Sequence, residues 1–176
     1  MKRPQIVLCS VLLIMIGCQN KQAVEELEAF KAQKDVEMKN KDIVKRWLSE
    51  VDKQNYEIVD ELIAEDFKAY YANDTFGRET LRASIEDIPI AFSESVHLID
   101  DLFAEEDKVI ARMTVKEIHT GEYMGIAPTG KHIEYTAINV YMLENGIIKE
   151  MWWDNNAGLG FMSQLGKELQ MWEPGK

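Results

Sequence analysis

The feature that most constrains the fold is a change of hydrophobic period near the middle of the chain. From Asp42 to Ile63, apolar residues recur at helical spacing on both sides of a polar break at Gln54–Asn55. This pattern predicts two consecutive helices. After a short extended piece, "FKAYYAND", the stretch "RETLRASIEDIPIAF" predicts a third helix, which Pro89 should end or kink.

The second half of the chain reads as two pairs of strands. In "VHLIDDLFAEEDKVIARMTVKEIH", two apolar runs flank the polar turn "AEEDK". In the stretch that follows, "ENG" joins "HIEYTAINVYML" to "IIKEMWWDN", with Asn-Gly at the bend. Both arrangements are typical of hairpins. Helices followed by an antiparallel meander predict a single α+β domain with its helices on one face of the sheet.

Composition narrows the function classes. The chain has 176 residues, enough for one domain with a substantial core, and 46% of them are hydrophobic against 29% charged. These proportions exclude a disordered chain and a protein that spans a membrane many times. The formal net charge of -11 argues against a surface for phosphate groups, so we expect no nucleic acid as a partner.

The N-terminus has the features of a secretory leader. A short basic start, "MKR", precedes the apolar run "IVLCSVLLIMI", which is too short to span a bilayer but suits the core of a signal peptide. The run ends in "MIGC", which resembles a bacterial lipobox. The resemblance implies that residues 1–17 are removed and that Cys18 carries the lipid. An uncleaved anchor or an ordinary secretory signal is the alternative.

On this interpretation the mature protein is a lipoprotein of the cell envelope, attached to a membrane through its lipid only. Cys9 and Cys18 are the two cysteines, so no disulfide and no cysteine metal site is expected within the mature chain. Residues 18–39 are rich in Glu, Lys, Gln and Ala with few apolar positions, which predicts a partly helical tether. We place the folded domain at residues 40–170.

Three stretches carry a family resemblance. They are "HTGEYMGIAPTGKHI", "AFSESVHLIDDLFAEEDKVIARMTV" and "LENGIIKEMWWDNNAGLGFMSQLG". Together they resemble the SnoaL-like polyketide cyclases, which belong to the cone-shaped superfamily of nuclear transport factor two and ketosteroid isomerase. The resemblance implies a curved antiparallel sheet wrapped by three N-terminal helices around an apolar pocket. It also implies carbon-acid chemistry without a cofactor, in which an aspartate after the last-strand tryptophan is the base.

The expected catalytic residue is displaced in this sequence. Counted forward from Trp152, the family's aspartate position holds Asn156, and counted back from "LGFMSQLG" it holds Ala157. The nearby carboxylate is Asp154, which shares strand parity with Trp152 and Asn156 and is therefore our candidate base. Tyr70 stands where relatives often carry a histidine.

Two further pairs of residues are candidates for the pocket. Trp152 and Trp153 should face opposite sides of a strand, and we assign Trp152 to the pocket. His119 and His132 end two strands joined by a loop. They are either a polar strand-end pair or a place where His119 orients a ligand carbonyl at the pocket mouth. The histidine and cysteine spacings match no metal motif, so no metal is expected.

The sequence therefore supports three hypotheses about function. In the first, the domain binds a small apolar molecule without the family's usual base. In the second, it is a cyclase or isomerase with Asp154 as the base and with Tyr70, His119 and Asn156 as hydrogen-bond donors to the substrate oxygen. In the third, the back of the sheet is a scaffold for an envelope partner. Relatives commonly pair through that face, so a homodimer is also expected there.

Overall fold

The computed structural model describes residues 5–71, 74–155 and 160–166, with side chains described from residue 21 onward except at 154 and 155. The chain divides into two compact units, residues 1–36 and residues 37–176. The first helix, α1 (Gln5–Asp52), contributes its residues 37–52 to the second unit. No helix in the described part of the chain is both long enough and apolar enough to cross a membrane.

Three helices belong to the N-terminal half of the second unit, as predicted. The end of α1 buries Val44, Trp47 and Leu48, and α2 (Ile58–Leu62) follows after the predicted break. The third helix, α3 (Arg78–Ala91), contains Pro89. Proline does not end this helix at once, because it lies in the last turn and removes only one backbone hydrogen bond there. A short helix, α4 (Met162–Gln164), comes after the strands.

Six strands form one sheet. Their bounds are β1 (Ile63–Tyr71), β2 (Asp74–Phe76), β3 (Phe92–Glu105), β4 (Lys108–His119), β5 (His132–Glu144) and β6 (Ile147–Asn155). The order across the sheet is β2-β1-β6-β5-β4-β3. The two predicted hairpins, β3–β4 and β5–β6, are present. Strands β1 and β6 are parallel, unlike the other pairs, because the helical segment and the meander separate them along the chain.

Alternation along the strands defines an inner and an outer face of the sheet. In β4, Val109, Ala111, Met113 and Val115 are buried, and the residues between them are more exposed. These inner residues join side chains of all three helices in one hydrophobic core. A second cluster around Phe92, Ile133 and Phe161 lies at the edge of the sheet where the end of β4 pairs with the start of β5. The predicted α+β fold, a curved sheet wrapped by N-terminal helices, is confirmed.

The second unit begins with two buried polar residues of α1. Glu37 is 4% exposed and Asn40 is 5% exposed. A carboxylate oxygen of Glu37 accepts a hydrogen bond from the Glu106 backbone N–H at 3.4 Å, and the Asn40 side-chain amide donates to the Glu106 carbonyl at 3.4 Å. Glu106 adopts a positive φ of 53° in the β3–β4 turn. These contacts attach α1 to the tip of the first hairpin.

Candidate functional site

A large cavity lies between the helices and the inner face of the sheet. Its volume is about 720 Å³, which is within the usual range for a small-molecule site. Much of the described wall is aromatic: Trp47, Tyr71, Phe76, Phe92, Tyr123, Tyr135, Trp153 and Phe161. Such a wall suits a flat apolar ligand, because aromatic rings provide large contact areas and few rotatable bonds.

The carboxyl group of Glu117 belongs to the wall of this cavity. Glu117 is only 5% exposed, and it continues the inward row of β4 that Met113 and Val115 begin. Burial raises its pKa from an ordinary 4.5 to about 7, although the Ser95 hydroxyl and the nearby His97 act in the opposite direction. The Ser95 hydroxyl donates to Oε2 of Glu117 over 3.4 Å, a long hydrogen bond. At neutral pH this carboxyl group can therefore both accept and give a proton.

Two tyrosines of the cavity wall are electrostatic neighbours of Glu117. Tyr135 lies on β5, where it pairs with Val115, and is thus a diagonal neighbour of Glu117 across the β4–β5 ladder. Tyr123 comes from the loop that follows β4. Burial, with the Glu117 charge as a smaller cause, raises the pKa of both phenols. Both hydroxyl groups are consequently protonated near neutral pH and can donate hydrogen bonds inside the cavity.

An aspartate–histidine pair forms another part of the wall. His97 on β3 lines the cavity, and its Nδ1 lies 2.6 Å from Oδ1 of Asp52. The backbone N–H of His97 donates to the other carboxylate oxygen of Asp52 at 3.0 Å. Asp52 ends α1, where the helix dipole disfavours a negative charge. Its position is explained by the two bonds to His97, which fix the imidazole ring in orientation.

The structure exchanges the predicted roles of the two tryptophans. Trp153 pairs with Asn139 of β5, and both residues line the cavity. Trp152 is 36% exposed and stacks on Tyr70, its register partner in β1, with ring centroids 4.9 Å apart. Trp152 and Tyr70, which we predicted to bind the ligand, are not among the described residues of the cavity wall. Strand alternation places their neighbours Trp153 and Tyr71 there instead.

The predicted base, Asp154, lies near the end of β6. The backbone of Asp154 pairs with Ile138 in β5, but the Asp154 side chain lies outside the described residues. Asn156 and Ala157 also lie outside them. The roles assigned to Asp154 and Asn156 therefore stay predictions. Among the described residues of the cavity wall, Glu117 is the one whose carboxyl group is buried.

The two strand-end histidines differ in environment. His119 is fully buried, and its Nδ1 accepts a hydrogen bond from the Thr129 backbone N–H at 3.3 Å. A neutral ring then carries its proton on Nε2, which has no hydrogen-bond partner among the described residues. His132 is exposed and pairs with Ile118, so the two imidazoles do not face each other as a pair. His119 closes the loop between β4 and β5 rather than lining the cavity.

The charged groups of the cavity wall are mostly acidic. Asp87, Glu117 and Glu122 line it, and the described wall contains no lysine or arginine. Within the described residues, no group of three or more His, Cys, Asp or Glu side chains is placed to hold a metal ion.

Sequence reasoning missed Glu117, although the signal was present. In "VIARMTVKEIH" the alternate residues Val109, Ala111, Met113 and Val115 are small or apolar, and Glu117 continues the same phase. A carboxylate at an inward position of a strand is unusual unless it has a partner or a function. Asp52 and His97 gave no comparable signal, because they are 45 residues apart in the chain.

Residues 41–165 match the SnoaL-like polyketide cyclase family. The chain belongs to that family. The resemblance predicted from the loop "HTGEYMGIAPTGKHI" is thereby confirmed. Comparison with curated proteins gives no match.

Several solved structures share the fold. AclR from Streptomyces galilaeus has 22% sequence identity and a TM-score of 0.71, with 76% of this chain and 99% of AclR covered. TsrD from Streptomyces laurentii has 23% identity and a TM-score of 0.66, with 73% and 96% covered. A SnoaL-like protein from Jannaschia sp. CCS1 has 19% identity and a TM-score of 0.69, with 76% and 95% covered. At these identities the likeness shows the fold alone.

Proposed function

We propose that the protein is a cofactor-independent acid–base enzyme of cyclase or isomerase type, with Glu117 as its general base. The observation that carries the proposal is a carboxyl group, 5% exposed, in the wall of an aromatic cavity of about 720 Å³. Its pKa of about 7 matches the requirement for a base that works at neutral pH. This assignment replaces Asp154, whose carboxylate lies outside the described residues.

The proposed step is the removal of a proton from a carbon next to a carbonyl group. The ionised carboxylate of Glu117 takes the proton. The electron pair of the C–H bond forms the C=C bond of an enolate, and the π pair of the C=O bond moves to the oxygen. The hydroxyl groups of Tyr123 and Tyr135 donate hydrogen bonds to the resulting enolate oxygen. Their placement in the same wall, with Glu117 as an electrostatic neighbour of each, supports this division of roles. The enolate then takes up a proton at another carbon or attacks a second carbonyl group within the same molecule.

The test uses a bicyclic β,γ-unsaturated ketone, β,γ-octalone, as a probe of general-base chemistry. The protein should accelerate its conversion to the conjugated enone, followed by ultraviolet absorbance, and the rate should rise as pH passes through the pKa of Glu117. Glu117→Gln keeps the shape but removes the base, and we expect a loss of about 100-fold or more. The control is Glu134→Gln, because Glu134 is exposed and pairs with Lys116 away from the cavity. Equal rates for the wild type and Glu117→Gln would overturn the proposal.

A second candidate is binding of a small apolar molecule without chemistry. The observation in its favour is the aromatic wall, which provides apolar contact on several sides whether or not Glu117 reacts. In that case octalone or a similar bicyclic ketone binds to the protein, and the conversion rate stays at its uncatalysed value. The same experiment therefore separates the two candidates.

We also propose that the protein is anchored in the cell envelope through a lipid on Cys18. The support is the sequence "MIGC" after an apolar run. The Cys18 side chain lies outside the described residues. Wild-type protein should partition into the detergent phase and incorporate labelled fatty acid. Cys18→Ser should do neither, while Cys9→Ser should behave as the wild type. Equal labelling of both variants would contradict the anchor.

The outer face of the sheet is our proposed site for homodimer formation. It exposes several large apolar side chains: Leu98 44%, Phe103 62%, Ile110 42%, Ile138 48% and Trp152 36%. Several large apolar side chains exposed on one face favour association with another surface. Ile138→Glu should shift the protein to a monomer in analytical ultracentrifugation if this face pairs. If an envelope partner binds at this face instead, Ile138→Glu should prevent that partner from co-purifying with the protein from intact cells.

A further inference from the structure

A second, smaller cavity adjoins the aromatic cavity and shares part of its wall. Its volume is about 80 Å³, enough for water molecules. Six residues line both cavities, and Val51, Ile85, Ile88 and Phe92 among them are apolar. The two polar members of the shared wall are Ser95 and His97. The remaining polar residues of the small cavity are Asp52, Gln54, Tyr56 and Glu94.

His97 has a fixed orientation in this shared wall. Asp52 holds it at two points, through Nδ1 at 2.6 Å and through the backbone N–H at 3.0 Å. Because Asp52 accepts the Nδ1 proton, a neutral His97 has its free lone pair on Nε2. The ring can take up a second proton there while its Nδ1 proton stays on the hydrogen bond to Asp52. Hydrolytic enzymes use an aspartate in the same way to orient a histidine that accepts a proton.

Glu117 and His97 are close enough to influence each other. In the β3–β4 ladder His97 pairs with Val115, which lies two residues before Glu117 on the same face of β4. The two residues are therefore diagonal neighbours across the ladder, within reach of each other for long side chains. His97 also lowers the pKa of Glu117, which shows that the two groups interact electrostatically.

A bound ligand limits the routes by which Glu117 can exchange a proton with solvent. A molecule that fills the aromatic cavity displaces the water between Glu117 and the mouth of that cavity. Glu117, once protonated by the substrate, then has two ways to lose its proton. It can return the proton to the ligand, or it can pass the proton through the wall that the two cavities share.

We propose that His97, held by Asp52, carries the proton from Glu117 to the small cavity and from there to solvent. The inference rests on the proposed role of Glu117 as the base. The carboxylic acid of Glu117 gives its proton to Nε2 of His97, directly or through the Ser95 hydroxyl or a water molecule. The Nδ1 proton stays on the bond to Asp52 throughout. The imidazolium then releases the Nε2 proton to water in the small cavity. A solvent proton returns by the same route to Glu117, which delivers it to the enolate, so the isomerisation consumes no net proton.

The test follows the fate of one proton. β,γ-Octalone deuterated at the carbon between its carbonyl group and its double bond is converted in ordinary water. The fraction of product molecules that keep deuterium, at the new position, is then measured by mass spectrometry and NMR. In the wild type we expect most of the label to be lost to solvent, because the relay competes with return. In His97→Gln we expect retention to rise several-fold, since Glu117 can then only return its deuteron to the ligand.

Three further variants make the result specific. Asp52→Asn keeps the shape but weakens the support of the imidazolium, so it should also raise retention, and it serves if His97→Gln does not fold. Ser95→Ala shows whether the hydroxyl, rather than the imidazole, carries the proton. His132→Gln alters an exposed histidine on β5 and should leave retention unchanged. All variants are compared well above the pKa of Glu117, so that differences in its ionisation do not enter.

The outcomes for the relay and for the base are separable. If octalone is not converted in a manner that depends on Glu117, the proposed function fails and the relay with it. If conversion depends on Glu117 but retention is equal in the wild type, His97→Gln and Asp52→Asn, only the relay is overturned. A rise confined to Ser95→Ala would also overturn it, because the proton would then bypass the imidazole.

Discussion

Trp152 stacks on Tyr70 with ring centroids 4.9 Å apart, on the face of the sheet opposite the cavity that the adjacent Trp153 lines. One strand thus provides two tryptophans with separate environments. Trp153 also stacks near Phe76, at 6.4 Å, within the cavity wall. This arrangement gives an intrinsic fluorescence signal from the site and a matched control outside it.

The first prediction concerns that signal. A bicyclic ketone that enters the cavity should quench tryptophan fluorescence, because carbonyl compounds in contact with an indole accept its excitation. In Trp153→Phe the quenching amplitude should fall clearly, and in Trp152→Phe it should stay close to that of the wild type. Trp47 also lines the cavity and keeps part of the signal in both variants. Equal amplitudes in the two variants would therefore mean that the bound ketone does not contact Trp153.

The second prediction concerns stability and pH. The pKa of Glu117 is raised in the folded protein, from an ordinary 4.5 to about 7, so folding favours the protonated form. This contribution is fully present below the unfolded pKa and is lost as pH rises through the folded pKa. The free energy of unfolding should therefore fall by about 3 kcal/mol between those two values on account of Glu117.

Glu117→Gln provides the comparison for this second prediction. The amide cannot ionise, so the variant should lack the decline and should gain stability relative to the wild type as pH rises from acid to mildly alkaline. Chemical denaturation at several pH values measures the difference. A difference that stays constant with pH would mean that Glu117 ionises in the folded protein as easily as in water.

The sequence predicted the architecture well because hydrophobic period and turn residues are local signals. A short stretch of sequence is enough to predict each of the two hairpins. The same holds for the break that follows α1 and for the helix α3. The sequence did not predict the cavity wall to the same extent. Choosing Trp153 over Trp152 depends on which phase of β6 faces the helices, and that phase is set by its register with β5. The Asp52–His97 pair depends on the end of a helix meeting a distant strand, which no local pattern records.

The third prediction concerns the charge of the ligand. Asp87, Glu117 and Glu122 line the cavity, and the described wall contains no lysine or arginine. A carboxylate ligand would meet like charges in this cavity, whereas a ketone of the same size would not. We expect 2-acetylnaphthalene to bind at least about tenfold more tightly than 2-naphthoate, a difference of about 1.4 kcal/mol.

Titration calorimetry with both naphthalene ligands tests this preference, and Glu117→Gln identifies its source. The variant should bind 2-naphthoate more tightly than the wild type does, while its affinity for the ketone changes little. If the carboxylate binds as well as the ketone in the wild type, the acidic wall does not select the ligand.

The fourth prediction concerns the loop that carries Tyr123 into the cavity wall. Gly121 lies against the end of α3, where its backbone N–H and that of Thr120 both donate to the Ala91 carbonyl at 2.9 Å. A Cβ atom at Gly121 would lie 2.0 Å from the Ile90 carbonyl oxygen and 3.0 Å from the Ala91 Cα. These are backbone atoms of a helix end, so they cannot move aside without breaking the two hydrogen bonds. Gly121→Ala should therefore destabilise the protein by about 2 kcal/mol or more.

Gly160→Ala, which lies outside this loop, is the control for a glycine-to-alanine change. A Cβ atom there meets nothing within 4 Å, so its effect should stay within about 0.5 kcal/mol. Thermal unfolding compares the two variants. Gly121→Ala should also weaken binding of the bicyclic ketone, since displacement of the loop moves Tyr123 away from Phe92, whose ring centroid is 5.0 Å from its own. Unchanged ketone affinity in a destabilised Gly121→Ala protein would mean that Tyr123 contributes nothing to the site, and the enolate donor would then be Tyr135 alone.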